Sequence, residues 1–283
     1  MITNALVIDV EYWHSPELLR GHAILKKPDQ IRQSLDPILE LLERYKLRAT
    51  FAVLGIVAED HPELVREIYD MGHEIASHSW SHRSLYDLGK DNFEFEIKKS
   101  IGLISSITGE RPIGFRAPSF SINESTKWAF EVLAEYGFEY DASIFPMETM
   151  LYGVPEAPFQ IYRPSKEDIT KNDPNGKIIE FPMTVMKIIK KIPIAGGFYL
   201  RALPFWFLRY GIKKVNDERP AIIYVHPWET YTKTPRLNIP FKHKLITYHG
   251  INSALPKLNG LLRDFKFSTI QDVLRNDGVL RKS

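Results

Sequence analysis

The stretch Gly72-His73-Glu74-Ile75-Ala76-Ser77-His78-Ser79-Trp80-Ser81-His82 decides how the rest of the chain is read. Residues 73–77 form a short apolar strand that breaks into a polar mouth, where two histidines stand four residues apart. On one turn of helix, or a helix-like loop, that spacing sets both imidazoles on one face. Two convergent imidazoles begin a transition-metal site and need a further ligand from elsewhere.

Outward from this stretch the chain alternates. Apolar strands are predicted at 5–10, 49–54, 113–116, 138–141 and 221–225. Between them lie helix patterns: one from Asp29 with Ile31, Leu35, Ile38, Leu39 and Leu42 inward, which Pro37 should bend, and one at 62–71 stopped by Gly72. Two more carry Phe93, Ile97, Ile101 and Ile104, and Trp128, Val132, Leu133 and Tyr136, the latter capped by Asn123. Strand–helix alternation at this spacing predicts an α/β fold, a parallel sheet or barrel. After Pro146 the rhythm loosens into a proline-rich excursion to about residue 176. A strand at 178–183, an aromatic helix at 204–215 and a closing helix at 250–265 follow.

Composition sets bounds. The 283 residues carry a formal charge of +2, which gives no reason to expect a nucleic-acid partner, and contain no cysteine. Disulfides, thiolate ligands and a cysteine nucleophile are excluded together. No apolar run approaches the ~18 residues of a membrane span. Met1-Ile2-Thr3-Asn4 begins no signal-peptide pattern, so a cytoplasmic location is expected.

In parallel α/β folds, chemistry collects at the carboxyl ends of strands. There the sequence places Asp9 and Glu11, His78 and His82, Arg116, Asp141 and His226. Asp9 and Glu11, two residues apart on a strand, face one side. Two such carboxylates repel unless a cation divides their roles, one ligating it and one taking a proton from its water. Arg116 would orient a carboxylate through a bidentate bond. Asp141 and His226 suggest a carboxylate that orients an imidazole for general-acid work.

The ordered set Asp9-x-Glu11, His78-Ser79-x-x-His82, Arg116-x-Pro118, Asp141 and His226 resembles the polysaccharide deacetylases with a NodB-homology domain, carbohydrate esterase family 4, across residues 4–230. Ala195-Gly196-Gly197-Phe198-Tyr199, His226-Pro227-Trp228-Glu229 and Phe241-Lys242-His243 resemble a subgroup found with exopolysaccharide gene clusters. The resemblance implies a distorted (β/α) barrel of about seven parallel strands over residues 1–230, with an excursion at about 147–176 and an extension, 231–283, packing on it. It implies a divalent metal, usually zinc, with Co2+, Ni2+ or Mn2+ as alternatives.

Position by position it makes Asp9 the catalytic base and His78 and His82 metal ligands. Glu11 is taken as the third ligand because it shares a face with Asp9 and reaches further. Arg116 orients the base, and His226, paired with Asp141, is the acid. The backbone near Ser119 would bind the oxyanion; Phe120, His14 and Trp228 would border the substrate groove. Two departures stand out: Val10 separates the acids where the family has adjacent aspartates, and Ser119-Phe120 replaces the usual tyrosine.

The implied substrate is an acetylated carbohydrate, with lipid- or nucleotide-linked sugars left open and oligomeric state unassigned. Three rival readings fit the same sequence. One is hydrolysis of cyclic amides or imides on the same fold; another is a catalytically silent carbohydrate-binding relative. The third is contact of Lys187–Lys191 and Phe205–Phe207 with a membrane or partner subunit.

Overall fold

The structure is a computed structural model that describes residues 2–19, 22, 27–194 and 196–281. Ala195, quoted above, lies outside the described residues. β1 (Thr3–Val10) is the axis of the sheet, and its last seven residues are all buried. From it β2 (Thr50–Val53), β3 (Glu74–Ser77), β4 (Gly114–Phe115), β5 (Tyr140–Asp141) and β6 (Ile179–Glu180) follow in sequence order, each parallel to the last. This is the curled sheet of a distorted (β/α) barrel, as the alternation predicts. The strands are buried on both sides, which is why they read as continuous apolar runs.

The connecting helices are α1 (Ile31–Tyr45), α2 (Gly55–Asp60), α3 (Pro62–Asp70), α4 (Leu85–Thr108) and α5 (Ala129–Glu135). Asp29 Oδ1 accepts from Ile31 N at the start of α1, which runs on through Pro37 as one helix. Gly72 ends α3 with φ 83°, the left-handed conformation for which its position called.

Beyond β6 the chain forms an antiparallel hairpin of β7 (Val185–Lys187) and β8 (Lys191–Pro193), then α6 (Phe198–Ala202) and α7 (Phe205–Val215). Next, β9 (Ile222–Val225) pairs with β1 over Ala5–Ile8, opposite in sequence to the β2 contact. Thr184 spans the gap between hairpin and β9: its Oγ1 donates to Ile222 O (2.8 Å) and accepts from Ile222 N (2.7 Å). The hydroxyl thus serves as a ladder rung where the sheet is otherwise open. Phe205 and Phe207 pack on the core, but Trp206 is exposed, as are Ile188 and Ile189 at the hairpin tip.

The last segment differs most from the sequence reading. After α8 (Pro227–Thr230), α9 (Phe241–Tyr248) and α10 (Ile251–Asp264), the expected tail is β10 (Lys266–Ser268), followed by α11 (Ile270–Asn276). β10 pairs in parallel with Thr3–Ala5 of β1. The extension therefore supplies a strand to the barrel sheet as well as packing on it. The excursion is likewise tied down, by an antiparallel bridge between Tyr162 and Glu180 and by buried Val154, Ala157 and Ile169.

Candidate metal and acid–base site

β1 ends at Val10, and Asp9 and Glu11 on either side of it enter one cavity of about 370 Å³ with His78, His82, Arg116 and His226. Both carboxylates are 2% exposed. The i, i+2 spacing thus does place them together.

The two histidines share a face by loop geometry rather than a helical turn. β3 stops at Ser77, and residues 78–84 form a loop in which Ser79 (φ 63°) and His82 (φ 60°) are left-handed. Glu96 of α4 holds that loop: it accepts from Ser79 Oγ (2.7 Å), Trp80 N (3.1 Å), Ser81 N (3.1 Å) and Ser81 Oγ (2.5 Å). The loop carbonyls of Ser79 and Trp80 in turn accept the first N–H groups of α2. A buried carboxylate with four donors is fully satisfied and fixes the backbone it binds.

His78 Nδ1 donates to the Arg116 carbonyl (2.7 Å), which leaves Nε2 as the lone-pair atom. His82 Nε2 meets Glu11 Oε2 head-on, and that oxygen, although buried, accepts no hydrogen bond. One ligand atom from each of Glu11, His78 and His82 lies within 4.8 Å of the others. Two imidazoles and a carboxylate are the donor set of a catalytic zinc. An orphaned oxygen in that cluster fits a divalent cation. Burial would raise the Glu11 carboxyl, but His82, His226 and His78 together hold it well below the usual carboxylate range. Burial pushes His78 down to about 4, which favours the neutral, ligating form. Trp228 Nε1 donates to the other Glu11 oxygen (2.9 Å), so it orients this carboxylate besides lining the cavity.

Asp9 Oδ1 receives Arg116 Nε at 2.7 Å. This is a single contact, not the expected bidentate one: Nη1 donates to the Ala142 carbonyl (2.7 Å), and the buried Nη2 makes no hydrogen bond. The guanidinium also lies against the rings of Tyr224 and Phe120 (4.6 and 4.8 Å). Ser119 and Phe120 line the cavity, both left-handed (φ 54° and 49°), a strained pair of the kind concentrated at functional sites.

The partner expected for His226 is corrected. Its Nδ1 binds Glu229 Oε2 at 2.7 Å, and Arg201 Nε holds the other Glu229 oxygen at 2.8 Å. Asp141 instead accepts from Ser143 Oγ (2.5 Å) and shares a buried carboxyl contact with Glu180. Asp141 sits inside β5, whereas Glu229 lies one helical turn past His226. His226 Nε2 points inward, 3.6 Å from Asp9 Oδ2 and 3.8 Å from Glu11 Oε1. Burial disfavours a charged imidazole, yet Glu229 first, then Glu11 and Asp9, raise His226 to about 9. Arg201 and His226 overcome burial to hold Glu229 down to about 2.

His14 is not among the cavity's lining residues; it stacks on Tyr12 (ring centroids 5.3 Å apart). Glu229 and Arg201 were given no role from sequence. Glu229 had a signal: His226-Pro227-Trp228-Glu229 has capping-box spacing, with proline at the first helical position, and the structure forms that box. Arg201, 28 residues away, had none.

Residues 27–140 match the family model for polysaccharide deacetylase. That segment, from the start of α1 to β5, is similar to the polysaccharide deacetylases. Residues 142–275 match a second model, a domain of unknown function (DUF3473). A peptidoglycan deacetylase-like protein of Gibberella zeae is 29% identical over 59% of this chain and 53% of its own length. A peptidoglycan deacetylase of Helicobacter pylori is 34% identical over 38% of this chain and 36% of its own. The aligned stretches thus span about half or less of these curated relatives. In fold, the chain is similar to a Mycobacterium smegmatis protein whose name assigns it to the polysaccharide deacetylases (TM-score 0.66, 17% identity, 99% and 93% coverage). It is similar also to the allantoinase Puue (TM-score 0.64, 15% identity, 97% and 89% coverage).

Proposed function

We propose that this chain is a polysaccharide deacetylase-like, metal-dependent hydrolase that removes N-acetyl groups from an acetylated amino sugar or polysaccharide. One observation carries the reading. A buried Glu11–His78–His82 face stands beside a second carboxylate, Asp9, and an imidazole, His226, whose Nε2 lies 3.6 Å from Asp9 Oδ2 while its Nδ1 is held by Glu229.

A divalent metal, zinc by its donor set, would supply Lewis acidity toward water and the acyl oxygen when held by those three side chains. Asp9, oriented by Arg116, accepts the proton of the attacking water as the new C–O bond forms. His226 gives its Nε2 proton to the sugar nitrogen as the C–N bond breaks, releasing acetate and the free amine. Glu229 and Arg201 keep that imidazole charged and aimed. The left-handed backbone at Ser119 and Phe120 is the nearest candidate to cradle the oxyanion. The complete set of base, ligands and acid favours an enzyme over a silent carbohydrate-binding relative. The extension, 231–283, is part of the same working unit. The names of the relatives point to a peptidoglycan-like amino sugar, and the subgroup resemblance to exopolysaccharide synthesis. No described helix is long and apolar enough to cross a membrane.

Acetate release by zinc-loaded protein from N-acetylhexosamine oligomers is the direct assay, with cyclic ureides and imides as the competing substrates. Asp9→Asn should lower kcat by about 10²–10⁴ with metal retained, while His78→Ala should lose both metal and turnover. Full activity in metal-stripped protein would refute the proposal.

A further inference from the structure

The inner and outer halves of the catalytic cavity have opposite chemistry. Within lie the ionisable groups described above. Around the mouth stand Leu18, Tyr86, Met150, Leu151 and Ile246, contributed by four separate segments of the chain. Tyr86, Met150 and Leu151 are 49%, 65% and 42% exposed. Single exposed apolar residues are ordinary, but several converging on one cavity mark a binding surface.

The way Met150 and Leu151 are presented sharpens this. They form the tip of a tight turn whose base is closed by Thr149: its N–H and its Oγ1 both donate to Tyr152 O (2.9 and 2.6 Å). Val154 N donates to Phe145 O (2.8 Å), and the Tyr152 ring packs between Phe120 and Phe145, anchoring the turn to the barrel. Turn tips are normally Gly, Asn, Asp, Ser or Pro. Here a built turn holds two aliphatic side chains at the entrance.

The cavity is near the lower end of the ~300–1,000 Å³ range of ligand pockets, so it accepts a short polar group and leaves the remainder of the substrate on the rim. A further run of sugar units there would call for hydrogen-bonding side chains. Among the described residues the rim offers few: the Tyr86 hydroxyl, Ser119 Oγ, which donates to Glu17 (3.3 Å), and Thr247, which is buried.

We infer that the acetylated sugar reaches this site joined to a hydrocarbon chain, which the Leu18–Tyr86–Met150–Leu151–Ile246 rim binds. The inference rests on the deacetylase reading and narrows its substrate class to amphiphilic glycosides.

The test compares zinc-loaded full-length protein on methyl and octyl glycosides of N-acetylglucosamine, below the micellar concentration of the latter. Acetate release gives kcat/KM, and calorimetry gives Kd. Contact with even two methylenes corresponds to about tenfold, so octyl should be preferred by at least that factor in both measurements. In Met150→Ser/Leu151→Ser the octyl-to-methyl ratio should fall toward one. Hydrolysis of the methyl glycoside with no chain-length preference would overturn this inference alone, as would an unchanged ratio in the double variant. Preferential binding of the octyl glycoside with hydrolysis of neither would leave the apolar rim standing and overturn the deacetylase reading.

Discussion

His226 faces three carboxylates, Glu229, Glu11 and Asp9, and the first of these is itself pinned by Arg201. A histidine raised to about 9 holds its proton below that pH and loses it above. Turnover that needs an imidazolium acid should therefore fall as pH climbs through that region. Glu229→Gln removes the strongest favourable neighbour and should move the alkaline limb of kcat/KM down by about one unit or more. A limb that stays in place would make Glu229 a purely structural contact. The position of His226 was legible from an apolar strand that ends in an imidazole. Its partner was misjudged because strand-end placement favours Asp141, while the i, i+3 geometry of a helix start favours Glu229. Arg201 was invisible because its role depends on three contacts beyond local sequence: Glu229, His249 O and Ile246 O.

The 78–84 loop shows the same division between what an element announces and what secures it. The two imidazoles are evident in the sequence, but the left-handed turns at Ser79 and His82 and the Glu96 carboxylate beneath them are not. Glu96 lies in the next helix and looks like any acidic residue on a helical face. Glu96→Ala should leave the secondary structure intact by circular dichroism and weaken metal affinity by about 10–100-fold in a chelator competition. The strands that precede the site residues are readable as apolar stretches ending in polar groups; β10 is not. Only Phe267 of its three residues is buried, so no periodicity is available to reveal it. Its pairing with β1 comes from the long-range packing of α10 and α11.

For the molecule as a whole, the two family models divide the chain between residues 140 and 142, but the sheet runs across that point without a break: β5 pairs with β4 on one side and β6 on the other. The junction is where Asp141 and Glu180 meet in the interior. Burial raises both carboxyls, Glu180 well above the usual range, and their mutual repulsion raises it further. Because their folded pKa values exceed the unfolded ones of about 4, their contribution to stability is fully present below that pH. It is lost as pH rises through the folded values. Glu180→Gln, which can still accept from Ile144 N (2.9 Å), should flatten the decline of Tm toward alkaline pH. An equally steep decline in the variant would refute the assignment.

The register Thr3↔Lys266 also governs the order in which the molecule can be made. Glu11, His78 and His82 all come from the first third of the chain, just past the ends of β1 and β3, the two strands that flank β2. His226, its Glu229–Arg201 support and the strand that covers the start of β1 arrive more than a hundred residues later, through contacts of high sequence separation that form slowly. If the proposed function holds, a refolding chain captures a divalent metal before His226 is in place. Rapid-mixing experiments should show metal uptake running ahead of the recovery of turnover, and simultaneous recovery would mean that the ligand face forms only when the barrel is complete.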